Sequence, residues 1–172
     1  MTVGILIGSD SDWVKVSGAA NALEEFGVCY ELNVMSAHRT PDLVKRYAET
    51  ALSRGISVLI CAAGGAAHLA GVVASHTVLP VIGIPVQTDF CGGLDSLLST
   101  VQMPGDIPVA TVGIGSGGAR NAGLLAIQIL ALNDENLKQK LLLFRKNLVQ
   151  KIDDKNTKLK KEIEQNKIKT EN

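Results

Sequence analysis

One rhythm constrains this chain more than any other feature. A short apolar, β-prone run, a turn rich in Gly, Ser or Asp, and a helical pattern follow one another five times. Residues 3–7 read as a first buried strand, and Ser9, Asp10, Ser11 and Asp12 supply the polar turn before a helix that ends at about Phe26, with Gly27 as its stop. Residues 30–35 read as the second strand and 41–54 as its helix, opened by Pro41. The third strand spans residues 57–62, followed by a small-residue helix to about His76. The fourth spans 80–86, followed by a Gly- and Asp-rich loop and a short helix ending near Met103 and Pro104. The fifth spans 108–114, and a strongly apolar helix follows to about Leu132.

Such alternation dictates a parallel sheet with right-handed crossovers and helices on both faces. Parallel strands are buried on both sides, which suits a chain that is 46% hydrophobic but only 3% aromatic: its core must be Ala, Val, Ile and Leu. Five strands in 172 residues predict an α/β, three-layer αβα, flavodoxin-like sheet in the order 2-1-3-4-5, with a Rossmann-like 3-2-1-4-5 as the competitor. The expected organisation is an α/β catalytic domain at 1–132 and a C-terminal helix with a charged tail at 133–172. In that tail Leu137, Leu141, Phe144, Leu148 and Ile152 keep helical spacing, with Leu159 and Ile163 still in phase. The expectation is a projecting helix, ordered to about residue 150 and fraying beyond, whose apolar stripe packs on neighbouring subunits.

Charge and cysteine content narrow the function class. Net charge is zero, so no global field points to nucleic acid, although residues 1–132 carry 6 basic and 10 acidic side chains and the tail 11 and 7. Cys29, Cys61 and Cys91 are far apart and form no CxxC pair, which suggests neither a zinc site nor a disulfide framework. Cys29 and Cys61 are expected as buried strand thiols and Cys91 as an exposed loop residue. The apolar runs are broken by Gly and Pro, and no signal peptide precedes the first strand, so a cytoplasmic protein without a membrane segment is expected.

In an open parallel sheet the ligand site lies beyond the carboxyl ends of the strands, where strand order reverses. Order 2-1-3-4-5 puts that reversal between strands 1 and 3, so the loops after strands 1, 2 and 3 become neighbours. They hold Ser9, Asp10, Ser11 and Asp12; Ser36, His38 and Arg39; and Gly64, Gly65, Ala66 and His68. A helix start with serines offers unpaired N–H groups to a phosphate, and a guanidinium completes such a pocket. An aspartate suits a sugar diol, and Gly64 and Gly65 let backbone approach a flat ligand. His38 and His68 are candidates for general acid or base. Each has a plainer reading: N-capping for Ser9, Ser11 and Asp12, a helix-start histidine for His68, and a capping or surface role for His76. Gly115-Ser116-Gly117-Gly118 looks like a phosphate turn but lacks both GxGxxG spacing and a P-loop lysine.

Four segments in register carry a specific resemblance. Gly8-Ser9-Asp10-Ser11-Asp12-Trp13, Ser36-Ala37-His38-Arg39-Thr40-Pro41, Gly64-Gly65-Ala66-Ala67-His68-Leu69, and Asp95-Ser96-Leu97 with Val101-Gln102-Met103-Pro104 together resemble the bacterial-type 5-(carboxyamino)imidazole ribonucleotide mutases, class I of the aminoimidazole ribonucleotide carboxylase family. The resemblance covers about residues 3–150. It implies an isomerase of purine (IMP) biosynthesis that moves a carboxylate from the exocyclic nitrogen of an aminoimidazole ribonucleotide to ring carbon C4, through trapped carbon dioxide. His38 matches the family's proton-transfer position. Ser9, Asp12 and Arg39 match its nucleotide contacts, with Ser11 and Ser36 beside the phosphate. His68, Gly64, Gly65 and Ala66 match the loop over base and carboxylate. The resemblance implies no metal or other cofactor, and a homo-octamer with sites shared between subunits. Ala70 stands where the family usually has Pro, and Asp89-Phe90-Cys91-Gly92 departs from its small-residue loop. Two alternatives remain at this point: a carboxylase sibling using free carbon dioxide, and a non-catalytic flavodoxin-like nucleotide-binding domain.

Overall fold

The computed structural model describes residues 1–170, with side chains through residue 165. Five strands, β1 (Thr2–Ile7), β2 (Cys29–Val34), β3 (Ile56–Ala63), β4 (Val81–Pro85) and β5 (Ala110–Thr111), form one sheet in the order β2-β1-β3-β4-β5. Every pairing is parallel. The predicted order holds, and the Rossmann-like competitor falls. The helices are α1 (Trp13–Phe26), α2 (Pro41–Ala51), α3 (Leu69–Ala74), α4 (Leu94–Val101), α5 (Ser116–Leu130) and α6 (Glu135–Thr170).

Strand alternation divides the core into two layers. On β3, Val58, Ile60 and Ala62 face α1 and α5 and join Val3, Ile5, Val16, Leu23, Phe26, Ala126 and Ile127. Leu59 and Cys61 face the other way, against α2 and α3, with Leu6, Val44, Tyr47, Ala48, Leu69 and Val73. Burial pushes the Cys61 thiol far up, so it is an inert core atom. The α1–α5 contact is made of small residues. A Cβ on Gly123 would stand 2.5 Å from the Ala19 carbonyl oxygen, and one on Gly18 would stand 3.3 Å from the Arg120 nitrogen. The two helices therefore touch almost backbone to backbone, which fixes where the amino end of α1 can lie.

Two expectations are corrected. Cys29 is exposed, because β2 is an edge strand and its first residue has no layer above it. The fifth strand is only Ala110–Thr111, paired with Ile82 and Gly83, since Pro108 lacks an N–H and nothing lies beyond the edge to prolong the ladder. The last helix runs as helical backbone to Thr170. It starts on an Asp134 Oδ1 cap that accepts the Leu137 N–H at 3.0 Å. Phe144 meets Phe26 edge-on at 5.5 Å, and Lys140 donates to the Phe26 carbonyl at 2.8 Å. Among the described residues, no helix is long and apolar enough to cross a membrane.

Candidate active site

The loops after β1, β2 and β3 meet at the carboxyl edge of the sheet around a cleft of about 440 Å³. Gly8, Ser9, Asp12, Ser36, Ala37, His38, Arg39, Ala63, Gly64, Ala66 and Leu69 form its walls. Gly8 N–H donates to Ala62 O at 3.0 Å and Met35 N–H to Ile7 O at 2.9 Å, so sheet bonding continues into the loops and sets their height.

The first loop is not an ordinary helix start. Asp10–Asp12 form a 3-10 turn, and neither Ser9 nor Asp12 caps a helix with its side chain. Instead the hydroxyls of Ser9 and Ser11 share a hydrogen bond of 2.8 Å, and Asp10 Oδ1 accepts from Ser9 Oγ at 3.2 Å and Ser11 N–H at 2.9 Å. The capping reading of these serines fails, which leaves the α1 start without a side-chain cap beside the cleft. Asp12 has its carboxyl pushed above the usual aspartate range by burial, against the opposing pull of Lys15, the Ser9 backbone and Arg39.

The second loop is a local turn. Thr40 Oγ1 donates to Ser36 O at 3.1 Å and accepts from Ser36 N–H at 3.0 Å, while Ser36 Oγ accepts the Arg39 N–H at 3.2 Å. The guanidinium of Arg39 donates through Nη2 to Gly8 O at 2.6 Å and so ties this loop to the first. Arg39 also borders a second recess of about 310 Å³ with Asp10, Met35 and Thr40, and thus stands between the two hollows.

The third loop brings the second histidine. Ala67 N–H donates to Gly65 O and His68 N–H to Ala66 O, both at 2.8 Å, in a tight turn that Gly65 enters at φ +67°. His68 does not bond its own backbone with its ring. Its Nδ1 lies 2.8 Å from His38 Nε2, with the rings nearly perpendicular at 82°. One ring must donate and the other accept, so the two residues hold a proton between them. Ser11, Gly65 and His68 stand one contact behind the cleft walls, whereas the other seven predicted site residues line it directly. His76 lies elsewhere, 4.0 Å from Glu49, consistent with a surface role.

Sequence reasoning missed what holds the third loop. Ser96 is fully buried; its Oγ accepts the Gly65 N–H at 2.9 Å and donates to Val86 O at 2.7 Å. Ser99 Oγ lies 3.1 Å from Gly65 O, a second contact onto the same residue. Thr88 Oγ1 donates to Asp95 Oδ1 at 2.8 Å, which holds that carboxyl below its ordinary range together with contacts from Ser96. Nothing local in the sequence marks Ser96 as a brace; the bond across 31 residues reveals it. Among the described residues no three His, Cys, Asp or Glu side chains gather as a metal centre would need.

The chain is similar to known proteins over most of its length. A family model described as AIR carboxylase matches residues 2–151. The N5-carboxyaminoimidazole ribonucleotide mutase of Bacillus subtilis is 57% identical over 150 residues, covering 87% of this chain and 93% of the relative. The same-named protein of Pyrococcus horikoshii is 54% identical over 153 residues, covering 89% and 85%. The crystal structure of Treponema denticola PurE aligns with a TM-score of 0.81 at 29% identity, over 92% of this chain and 98% of that one.

Proposed function

The chain belongs to the AIR carboxylase family, and from that premise we propose how its own cleft performs the family's carboxylate transfer. The protein is an isomerase of purine biosynthesis, an intramolecular transferase that converts N5-carboxyaminoimidazole ribonucleotide to the 4-carboxy isomer. In our reading the ribose phosphate lies against Ser9, Ser11, Ser36 and Arg39, with Asp12 accepting from the ribose hydroxyls. The base lies under Gly64, Gly65 and Ala66. The observation that carries this reading is the single cleft in which Arg39 and His38, adjacent in sequence, face Ser9 and Asp12 on one side and the Gly64 turn on the other.

The chemistry follows from the bonds that change. The carbamate N–C bond breaks, its electron pair goes to the exocyclic nitrogen, and carbon dioxide is freed beside the ring. The electron-rich C4 attacks it and forms the new C–C bond. C4 then carries one hydrogen too many, and its loss restores the aromatic ring. The net proton movement runs from C4 to the exocyclic nitrogen. His38 takes the C4 proton, and His68, bonded to it, keeps the imidazole oriented and shares the proton. Holding a small neutral intermediate is a matter of position and exclusion of water. Gly64 and Ala66 suit this, since they fill space without offering a nucleophile.

The homo-octamer, the cytoplasmic location and the division into a catalytic domain at 1–132 with a helix at 133–172 packing on neighbouring subunits are part of the same proposal. The deciding experiment offers the purified protein the carbamate ribonucleotide and, separately, the unmodified ribonucleotide with bicarbonate. Turnover of the first is expected. Turnover of only the second would replace the mutase by the carboxylase, and turnover of neither, with binding retained, would leave a nucleotide-binding domain.

A further inference from the structure

Every residue of α6 from 145 to 165 is exposed, yet the helix continues to Thr170. Helices in proteins draw most of their stability from packing an apolar face rather than from propensity. The distal segment carries such a face. Val149, Ile152, Asn156, Leu159 and Ile163 alternate spacings of three and four, the seam of a two-stranded coiled coil. The four apolar members are 63%, 63%, 56% and 46% exposed, so the seam is open along its whole length. Most of it lies beyond residue 151, where the match to the family ends, so it belongs to this chain rather than to the shared enzyme body.

We infer that the distal half of α6 pairs antiparallel with the same segment of a second copy of this chain. The flanking charges select the occupant and its direction. Beside the seam stand Asp153 and Lys160 on one edge and Lys155 and Glu162 on the other. In an antiparallel pair with Ile152 opposite Ile163 of the second copy, Lys155 meets Glu162 twice and Asp153 meets Lys160 twice. All four contacts are attractive. In a parallel pair Lys155 of each chain meets Lys160 of the other, and both contacts repel. Asn156 is the one polar seam position; in this register it lies opposite Leu159 of the second copy and costs stability, so the direction rests on the flanking charges. Residues 149–163 are 15 positions of helix, about 22 Å of seam. That is short enough for charge to decide direction.

The test is cross-linking in the full chain, with exposed Cys29→Ser and Cys91→Ser as background and helical circular dichroism as the check on folding. Ile152→Cys combined with Ile163→Cys is expected to give covalently linked chain pairs on mild oxidation or with a short bis-maleimide. Either substitution alone is expected to give none. Residues 152 and 163 lie 11 positions apart on one helix, about 16 Å, too far to bridge within a chain. Cross-linking by Ile152→Cys alone would mean a parallel pair and overturn the inference; no cross-linking by the double variant would also overturn it. Lys155→Glu should cut the yield at least about threefold, and adding Glu162→Lys should restore it. A yield indifferent to both substitutions rules out the charge-set register.

Discussion

The cleft and the distal half of α6 are both polar, exposed and helix-adjacent, yet they are built by opposite rules. At the cleft each loop is shaped by local bonds, but the loops are tied to one another by bonds between residues far apart in sequence: His38 to His68, Arg39 to Gly8, Gly65 to Ser96. In distal α6 the bonds join near neighbours, such as Gln150 to Asp154 and Lys158 to Glu162. The first region is fixed by the sheet, which brings three loops to one edge. The second is fixed by helical periodicity alone, and gains a tertiary context only from another molecule. The lesson is that exposure does not distinguish a site from a solvated surface; the sequence separation of its contacts does.

Substitutions test that contrast, beginning with the greatest expected effect. His38→Asn keeps the polar shape and loses proton transfer, so turnover should fall at least about a hundredfold with folding and ligand binding retained. Steady-state kinetics beside calorimetric binding checks this; near-normal turnover removes His38 from the chemistry. Arg39→Ala removes a charged donor that also ties two loops, and should weaken nucleotide binding about 10- to 100-fold, the scale of a hydrogen bond to a charged group. An unchanged dissociation constant would sink the phosphate assignment.

Ser96→Ala leaves the buried Gly65 N–H and Val86 carbonyl unpaired. A stability loss of about 1–3 kcal/mol is expected by denaturant titration. A drop in kcat larger than the change in KM should accompany it, because the Gly65 turn carries His68. If stability falls and kinetics do not, Ser96 is merely structural.

Asp12→Asn should act in two directions. Burial raises the Asp12 carboxyl above its ordinary value, so ionising it costs the folded state. That cost is absent in acid and grows as pH rises from the ordinary aspartate range through the raised value. Asparagine escapes it, and at pH 7 the ligand-free variant should melt higher, by no more than about 2–4 °C, while binding nucleotide more weakly. A melting point unchanged or lowered at pH 7 would contradict it. The smallest effect belongs to the other region: Lys158→Ala, removing an exposed pair with Glu162, should move unfolding by less than about 0.5 kcal/mol.

Much of this architecture was legible beforehand, and for physical reasons. Five βα units narrowed the sheet to two orders, 2-1-3-4-5 and 3-2-1-4-5, because crossovers and burial leave few topologies, and the structure has the first. The three site loops followed from strand order. What stayed hidden was anything decided by three-dimensional proximity. Ser96 enters the sequence only as part of the Asp95-Ser96-Leu97 segment, and its bracing role shows only when its hydroxyl is seen 2.9 Å from the Gly65 nitrogen. The serines of the first loop look like caps and are not. Cys29 has a strand thiol's pattern, but its exposure depends on lying at an edge.

The glycine contact between α1 and α5 has a kinematic consequence. Two helices meeting almost backbone to backbone, with Gly123 against the Ala19 carbonyl, cannot slide by a residue without collision. They behave as a single stiff strut, and the Ser9 to Asp12 wall is anchored to it. Lys15, on the same strut, also donates to the Gln87 carbonyl at 2.8 Å, so the segment after β4 is tied to it as well. The cleft therefore has one wall whose position the helix pair sets before any ligand arrives.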